Sequence, residues 1–592
     1  MLLHSCRTPA NAVDPTRARA NGNYTVAGLV PMWQQNYEPL AGSLGASTAI
    51  AALPILVLFY MLGVRRKPTW IAATSALGAA VIIALVFYRM PVQMALASML
   101  YGAAFGIFPI AWICFSSILL YRVAVDTGKF EIIKDSVGSL TNDRRLQAMF
   151  IAFSFGAFIE GAAGFGAPVA VAGAMLAGLG FSPFYAAGIC LLANTTPVAF
   201  GSIGIPVTTL ANVTGLPVLA LSAMVGRLCS MVSVLIPGYL VVVMAGPTRA
   251  LEVLPAILAC GLSFAGMQLY ISNFWGPELT DIMSSLTCIG VMVLMLKLWK
   301  PRTVLRLEGD LPVAAAPKRH RPAELLTAWL PYMLLVAFVL IWGRPDVKMA
   351  INKWTDGMLP AFLPHSSTVL NGLTIPGLHN AIMRIPPVTA RPAPYAAVFE
   401  LNWLSAAGTA CFLAAIAAAI LLRMGPRRFA GTYAATFKQL ALPMVTIACT
   451  LGLAYVMNYS GMTSTLGLAL AATGRGFPFF SAVLGWLGVF LTGSDTSANA
   501  LFGNLQVVTA NALGLNPVLT ASVNSAAGVV GKMISPYSIA VAVAATGMTP
   551  AHEATLFRFT IKHSIFLMMV MGIISMIVAY VFPGYVPLVP AG

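Results

Sequence analysis

The chain has 592 residues, of which 59% are hydrophobic and only 9% are charged, and its mean hydropathy is +0.85. A soluble fold cannot bury that much apolar surface, so the composition excludes a soluble enzyme or binding protein and indicates an integral membrane protein. The formal net charge of +16 does not predict a nucleic-acid partner, because the basic residues lie in short clusters between apolar runs, where they act as topology signals.

Residues 1–31 are polar and lack the apolar stretch of a signal peptide. We interpret them as a disordered extension or as a mis-called start upstream of Met32. Residues 32–592 are then expected to form a single membrane domain.

Apolar windows recur along this domain with the length of roughly 20 residues that crosses a hydrocarbon layer about 30 Å thick. They are too long and too uniform for barrel strands, so the predicted fold class is an all-α polytopic membrane protein with about 12–14 transmembrane segments. The predicted spans are 43–62, 69–88, 93–121 with a bend at Pro109, 217–245, 250–272, 279–298, 325–343, 403–422, 439–457 and 563–583.

Two irregular regions, 147–213 and 478–548, complete the membrane part. If the amino terminus is outside, the basic clusters all fall on the cytoplasmic side, and the long segment 344–402 becomes a structured external cap. With this parity the chain enters the first irregular region from the inside and the second from the outside. The two regions are therefore predicted to be inverted repeats.

A motif written twice links the two irregular regions. The segment 194–201 (Asn-Thr-Thr-Pro-Val-Ala-Phe-Gly), followed by Pro206, returns as 524–531 (Asn-Ser-Ala-Ala-Gly-Val-Val-Gly), followed by Pro536, with the same spacings. Paired apolar segments interrupted by Gly and Pro indicate the substrate site of a secondary transporter. The sequence predicts a broken helix and a re-entrant hairpin in each region of a single transporter domain.

The predicted hairpin tips are rich in Gly, Ser and Thr. Free N–H groups at such tips, together with the positive ends of short helices, can face a small anion. Glycines of this kind also serve as plain helix-packing positions. The candidate substrate-binding residues of the tips are Gly161, Gly164, Gly166, Gly493, Ser494, Thr496 and Ser497.

Uncharged polar pairs begin each copy of the motif. Asn194 with Thr195, and Asn524 with Ser525, supply donors and acceptors that suit a hydroxyl or a carboxylate. The alternative is that these side chains only bond neighbouring helices to one another.

Glu160, Asp495 and Lys532 are the charges deep inside the irregular regions. A charge inside the membrane is costly unless it is paired, solvated or neutralised, so each one is a functional hypothesis. We predict that Glu160 or Asp495 binds and releases a proton and that Lys532 binds a substrate carboxylate. The alternative is a purely structural pair between Lys532 and Asp495.

Enzymatic, metal-binding and redox motifs are not found in the sequence. The eight cysteines are dispersed singly, and neither a nucleotide-binding loop nor a nucleophile elbow is present. We therefore expect no cofactor, no metal and no enzymatic activity.

Four stretches resemble the L-lactate permease family: 32–39 (Met-Trp-Gln-Gln-Asn-Tyr-Glu-Pro), 156–168 (Gly-Ala-Phe-Ile-Glu-Gly-Ala-Ala-Gly-Phe-Gly-Ala-Pro), 490–497 (Phe-Leu-Thr-Gly-Ser-Asp-Thr-Ser) and 531–536 (Gly-Lys-Met-Ile-Ser-Pro). The resemblance implies a multi-pass protein of the bacterial inner membrane that couples proton entry to uptake of lactate and often glycolate. Two departures, Thr196 in place of a small Ala and Tyr537 in place of Gln, lie beside candidate ligands and leave the preferred hydroxy acid open.

Three other functions remain open from the residues themselves. Unwound carbonyls beside Asn and Thr could bind Na⁺, which would make the protein a sodium-coupled carboxylate transporter. An anion channel and a membrane sensor that binds ligand without moving it are the other two. The oligomeric state is not predicted.

Overall fold

The structure is a computed structural model that describes residues 32–138, 140–164, 166–306, 320–358, 364–367, 369–389 and 391–587. The segment interpreted above as an extension or a mis-called start, residues 1–31, lies outside the described residues.

Membrane-spanning helices dominate the described residues. Ten helical stretches are long and apolar enough to cross a membrane, and two further pairs of helices pass the same test as bent spans. The total of up to twelve spans confirms the predicted all-α polytopic class.

Five helices precede the first irregular region. The third span predicted from the sequence, 93–121, is part of one helical stretch, Val92–Asp126. This stretch bends next to Pro109, because Phe108 has non-helical φ and ψ angles. The five are α1 (Leu44–Phe59), α2 (Thr69–Val86), α3 (Val92–Phe105), α4 (Trp112–Asp126) and α5 (Lys129–Gly138).

The first irregular region consists of short helices joined by irregular backbone. A π-helical stretch, Ala148–Phe155, joins the first two of these helices, turns at Ala163 and at 179–180 follow the second and the third, and a break at 194–204 separates the last two. The helices are α6 (Arg144–Gln147), α7 (Gly156–Ala162), α8 (Ala167–Gly178), α9 (Pro183–Ala193) and α10 (Gly201–Thr214).

Among the described residues, six helices connect this region to the cap. They are α11 (Val218–Ser233), α12 (Ile236–Ala245), α13 (Pro247–Leu251), α14 (Leu254–Phe274), α15 (Thr280–Leu298) and α16 (Pro322–Gly343).

The segment 344–402, predicted to be a structured cap, contains one helix and four short strands among its described residues. Its helix is α17 (Pro345–Asp356), and the amino-terminal strand β1 (Trp33–Gln34) pairs in parallel with one of its strands, β3. The cap strands are β2 (Gly372–Thr374), β3 (Ile382–Arg384), β4 (Ala393–Pro394) and β5 (Val398–Glu400). Antiparallel pairs form between β3 and β4 and between β2 and β5.

The rest of the chain holds the second irregular region, which repeats the order of the first. A helix, a tight turn at Gly493 and Ser494, a helix, a second turn, a helix, a break at 532–535 and a final helix follow one another. The helices from the cap onward are α18 (Ala407–Leu421), α19 (Pro426–Ser460), α20 (Met462–Leu470), α21 (Phe477–Thr492), α22 (Asp495–Leu513), α23 (Pro517–Gly531), α24 (Pro536–Ala545) and α25 (Glu553–Tyr580).

The same local chemistry starts three helices of the two regions. Ser182 caps α9, Asn516 caps α23 and Ser535 caps α24, and each capping residue is followed by a proline in the first helical turn. A polar cap satisfies a free N–H group at the helix start, and proline fits there because its own nitrogen has no hydrogen to leave unbonded.

The two regions pack against each other in a reciprocal way. The helix after the first break, α10, packs on α22 of the second region, and the helix after the second break, α24, packs on α8 of the first. The two bent helix pairs turn by 63° and 47°. Both breaks are therefore enclosed by protein, which is the setting in which irregular backbone at membrane depth is stable.

A buried arginine fixes the entry to the first region. Arg145 is fully buried and forms ion pairs with Asp143 at 2.8 Å and with Glu252 at 2.7 Å. Its guanidinium also donates to the backbone carbonyls of Arg249 and Thr303. Arg145 therefore connects three segments of the chain.

Candidate functional site

An ion pair joins the two irregular regions. Lys532 Nζ lies 2.8 Å from Glu160 Oε1, and both side chains are almost fully buried. Glu160 belongs to α7 and Lys532 to the break before α24, so the pair connects residues 372 positions apart. Lys532 pairs with Glu160 and not with Asp495, so the alternative of a Lys532–Asp495 pair is wrong for this conformation.

Asp495 is held by neutral donors of its own region. Its Oδ2 accepts hydrogen bonds from Ser525 Oγ at 2.6 Å and from Asn499 Nδ2 at 3.4 Å, while its Oδ1 has no partner. Asn499 also donates to the carbonyl of Pro206 beyond the first break. Asp495 therefore lies at a polar contact between the two regions.

The two asparagines that begin the repeated motif have different surroundings. Asn524 lies inside α23, where it donates to Asn499 at 2.9 Å and accepts from Gln506 at 3.0 Å. Asn194 follows the last residue of α9, and within the described part of the chain neither its side-chain oxygen nor its nitrogen has a partner, although the residue is buried. In this conformation the side chain of Asn524 forms hydrogen bonds between two helices, which is the structural alternative given above. The polar atoms of the Asn194 side chain form no hydrogen bond to the described residues.

The two hydroxyl groups that follow Asn194 in the chain also differ in whether they have a hydrogen-bond partner. Thr195 Oγ1 donates to the carbonyl of Leu192 at 2.8 Å, whereas the buried Oγ1 of Thr196 has no partner. Both threonines line a small cavity together with Cys229 and Ser233 of α11 and residues of α23. Leaving a buried polar group unpaired costs about 1–3 kcal/mol, so the unpaired groups of Asn194 and Thr196 are candidates for binding a polar ligand.

The two predicted tips meet at the second break. Gly166 and Gly493 have positive φ angles of 79° and 70°, which a glycine adopts without strain. A Cβ on Gly166 would lie 3.2 Å from the ring of Tyr537, and one on Gly493 would lie 3.4 Å from Tyr537 Cβ and from Ser535 Oγ. The structure thus brings both tips to the Ser-Pro-Tyr segment that follows Lys532.

The other predicted tip residues have structural contacts. Gly164 also has a positive φ, and the side chain of Ser202 occupies the space beside it. Ser494 caps α22 by accepting a hydrogen bond from the N–H of Ser497, and Thr496 lies in the first turn of that helix. Gly161 packs against Asp281. A Cβ added at Gly161 would lie only 2.8 Å from the Cβ of Asp281.

Asp281 is the acidic residue that the sequence reasoning missed. It lies in the first turn of α15, is 1% exposed, and neither carboxylate oxygen has a hydrogen-bond partner among the described residues. It interacts electrostatically with Glu160 and Lys532. The available signal was an acid at the start of the predicted span 279–298, outside the two irregular regions.

Replacing Gly201 by alanine is expected to disturb the ion pair and destabilise the fold. The new Cβ would lie 2.7 Å from Glu160 Oε1, the oxygen that Lys532 binds. Overpacking of this kind costs about 1–3 kcal/mol, which would lower the midpoint of thermal unfolding of the purified protein in detergent. Gly178→Ala is the matched control because nothing lies within 4 Å of a Cβ there. Equal midpoints for the two variants would contradict the packing described for Glu160.

Comparison with known proteins gives consistent matches along the chain. A family model described as L-lactate permease matches residues 47–582. L-lactate permeases of Bacillus subtilis (strain 168) and Escherichia coli (strain K12) are 48% and 44% identical to this chain over 568 and 567 residues, which is 94% of this chain and 100% of each relative. Glycolate permease GlcA of Escherichia coli (strain K12) is 45% identical over 564 residues, covering 93% of this chain and 99% of the relative. The chain belongs to the L-lactate permease family.

Proposed function

We propose that this protein imports lactate, and also glycolate or related short 2-hydroxy monocarboxylates, by proton symport across the bacterial inner membrane. The observation that carries the proposal is the buried Lys532–Glu160 ion pair, made where the two broken regions meet. The names of the relatives, L-lactate permease and glycolate permease, supply the substrate class.

The ion pair provides a reason why an anion would need a proton. We propose that a substrate carboxylate takes the place of Glu160 on Lys532 Nζ, the buried ammonium group that Glu160 binds in this conformation. The displaced Glu160 would then be a buried charge without a partner, which is strongly unfavourable. A proton that enters with the substrate removes that penalty, so binding of the anion and of the proton are linked.

The 2-hydroxyl group of the substrate has candidate partners at the first break. Asn194 and Thr196 are buried and unpaired, and they precede Gly201, which packs against Glu160. We assign the hydroxyl to these residues rather than to Asn524 and Ser525, because the latter two are bonded to Asn499, Gln506 and Asp495. Thr196, one of the two departures from the family pattern, would therefore help to set the preference among hydroxy acids.

The same proposal includes inverted repeats with re-entrant hairpins. Support comes from the matched order of elements in the two irregular regions and from their reciprocal packing. In transporters built this way, the substrate binds where the broken segments meet, and access alternates between the two sides of the membrane.

Uptake of labelled L-lactate into proteoliposomes tests the function. An inward proton gradient is expected to drive accumulation above the external concentration, unchanged when sodium is replaced by choline, with unlabelled glycolate competing. Accumulation that needs sodium would establish the sodium-coupled alternative. Uptake that never exceeds equilibration and does not saturate would establish a channel, and both results would contradict proton symport.

A further inference from the structure

Asp281 differs from the other two carboxyl groups of the site in its lack of donors. Glu160 accepts a hydrogen bond from Lys532, and Asp495 accepts from Ser525 and Asn499. Asp281 is at least as deeply buried, yet neither of its oxygens has a partner among the described residues. A buried carboxyl without any donor is much less unfavourable when it is neutral, so of the three groups Asp281 gains most from binding a proton.

The position of Asp281 places it beside the ion pair but outside both irregular regions. It lies in α15, which packs against α7, the helix that carries Glu160. The Cβ of Asp281 lies where a side chain on Gly161, the residue after Glu160, would otherwise sit. Only glycine at 161 therefore allows the aspartate to lie next to the Glu160 helix.

Few other charges face Asp281. Glu160 and Lys532 interact with it from α7 and from the second break, Cys229 does so from α11, and Glu278 lies just before α15 in the chain. The π-helical stretch Ala148–Phe155 and α10, which also pack on α15, contain no titratable residue. The titratable residues of α14 are Cys260, which contacts Cys288, and the exposed Tyr270.

We propose that Asp281 is the proton-binding residue of the transport site and that its protonated form donates a hydrogen bond to Glu160 when the substrate carboxylate takes over Lys532. This inference rests on the proposed proton symport. The proton reaches Asp281 from water on the acidic side, lies between Asp281 and Glu160 in the loaded carrier, and leaves to water on the other side. Without the proton Glu160 has no new donor and stays on Lys532, so the anion is not bound.

The charge count is consistent with this step. The empty carrier without the proton has Lys532 positive and both Glu160 and Asp281 negative. The loaded carrier gains one substrate anion and one proton, which leaves the total charge of the site unchanged. The two states therefore differ little in electrostatic cost inside the membrane, as alternating access requires.

The variant Asp281→Asn separates proton coupling from substrate binding. The amide supplies a donor to Glu160 but cannot release a proton, so we expect exchange of labelled for unlabelled lactate to continue while a proton gradient no longer drives accumulation. Asp281→Ala supplies no donor and should lose both activities. Asp281→Glu, which restores a proton-binding group, should recover some gradient-driven accumulation. Glu278→Gln removes a neighbouring acid and is the matched control, expected to behave as wild type.

The outcomes are distinguishable. If the wild-type protein itself ignores the proton gradient, the proposed symport is wrong. If the wild type responds and Asp281→Asn accumulates lactate equally well, only the role of Asp281 is wrong. Loss of exchange in a folded Asp281→Asn protein, or normal exchange in Asp281→Ala, would also overturn the inference, because both results contradict the donor role.

Discussion

Replacing Lys532 by glutamine is expected to weaken lactate binding strongly and to stop measurable lactate transport. Lys532 is the cation that this conformation holds at the meeting point of the two irregular regions, and it is already placed to bind a carboxylate. A hydrogen bond to a charged group contributes about 1.5–3 kcal/mol, so its loss should weaken binding by about 10- to 150-fold. Binding of labelled L-lactate to the purified protein and uptake into proteoliposomes both measure this.

Two further variants separate a binding defect from misfolding. Lys532→Gln leaves Glu160 buried without its partner, which alone destabilises a fold. The double variant Lys532→Gln with Glu160→Gln removes both charges, so it should regain thermal stability and still fail to bind lactate. Lys562→Gln, at an exposed position of α25, is the matched control for removal of a lysine. Wild-type binding by the double variant would show that Lys532 is not the anion site.

Replacing Glu160 by glutamine is expected to uncouple transport from the proton gradient. The amide does not compete for Lys532 as a charge, so the substrate carboxylate can bind without displacing an anion. We expect a higher apparent affinity for lactate, continued exchange of labelled for unlabelled lactate, and accumulation that stops at equilibration. The concentration ratio reached under an imposed proton gradient measures the effect.

Asp495→Asn, which changes the carboxyl group at the second tip, is the comparison for Glu160→Gln. Asp495 is bonded to Ser525 and Asn499, and it is not the partner of Lys532. Asp495→Asn should therefore retain a response to the gradient even if the maximal rate falls. If gradient-driven accumulation survives in Glu160→Gln and disappears in Asp495→Asn, Asp495 and not Glu160 couples transport to the proton gradient, and the account is wrong.

The spans were predictable because local composition determines them. The sequence predicts a span at 69–88, and α2 covers Thr69–Val86. It also predicts the break near Pro536, where Ser535 and Pro536 begin a new helix. The prediction at 563–583 begins too late, because α25 starts at Glu553 and carries Arg558, Lys562 and His563 through its first turns. These polar residues, which a long helix tolerates near a membrane surface, make the first turns of α25 less apolar. The start of the helix was therefore not predicted from composition.

The site was predictable only in part because its contacts are not local. Composition and spacing identify Glu160, Asp495 and Lys532 as buried charges, but which pair forms depends on how two distant regions pack. The repeated motif predicts similar roles for Asn194 and Asn524, whereas the first ends a helix and the second lies within one. Asp281 belongs to an ordinary span and becomes part of the site only through the packing of α15 on α7.

Proton uptake on lactate binding is the most direct measurement of the central claim, that the substrate anion replaces Glu160 on Lys532 only together with a proton. Lactate is added to purified protein in weakly buffered detergent solution containing a pH-sensitive dye. Linkage between the two ligands predicts uptake of about one proton for each lactate bound, and no uptake by Lys532→Gln under the same conditions. Saturable lactate binding to the wild-type protein across a range of pH values without proton uptake would contradict the account.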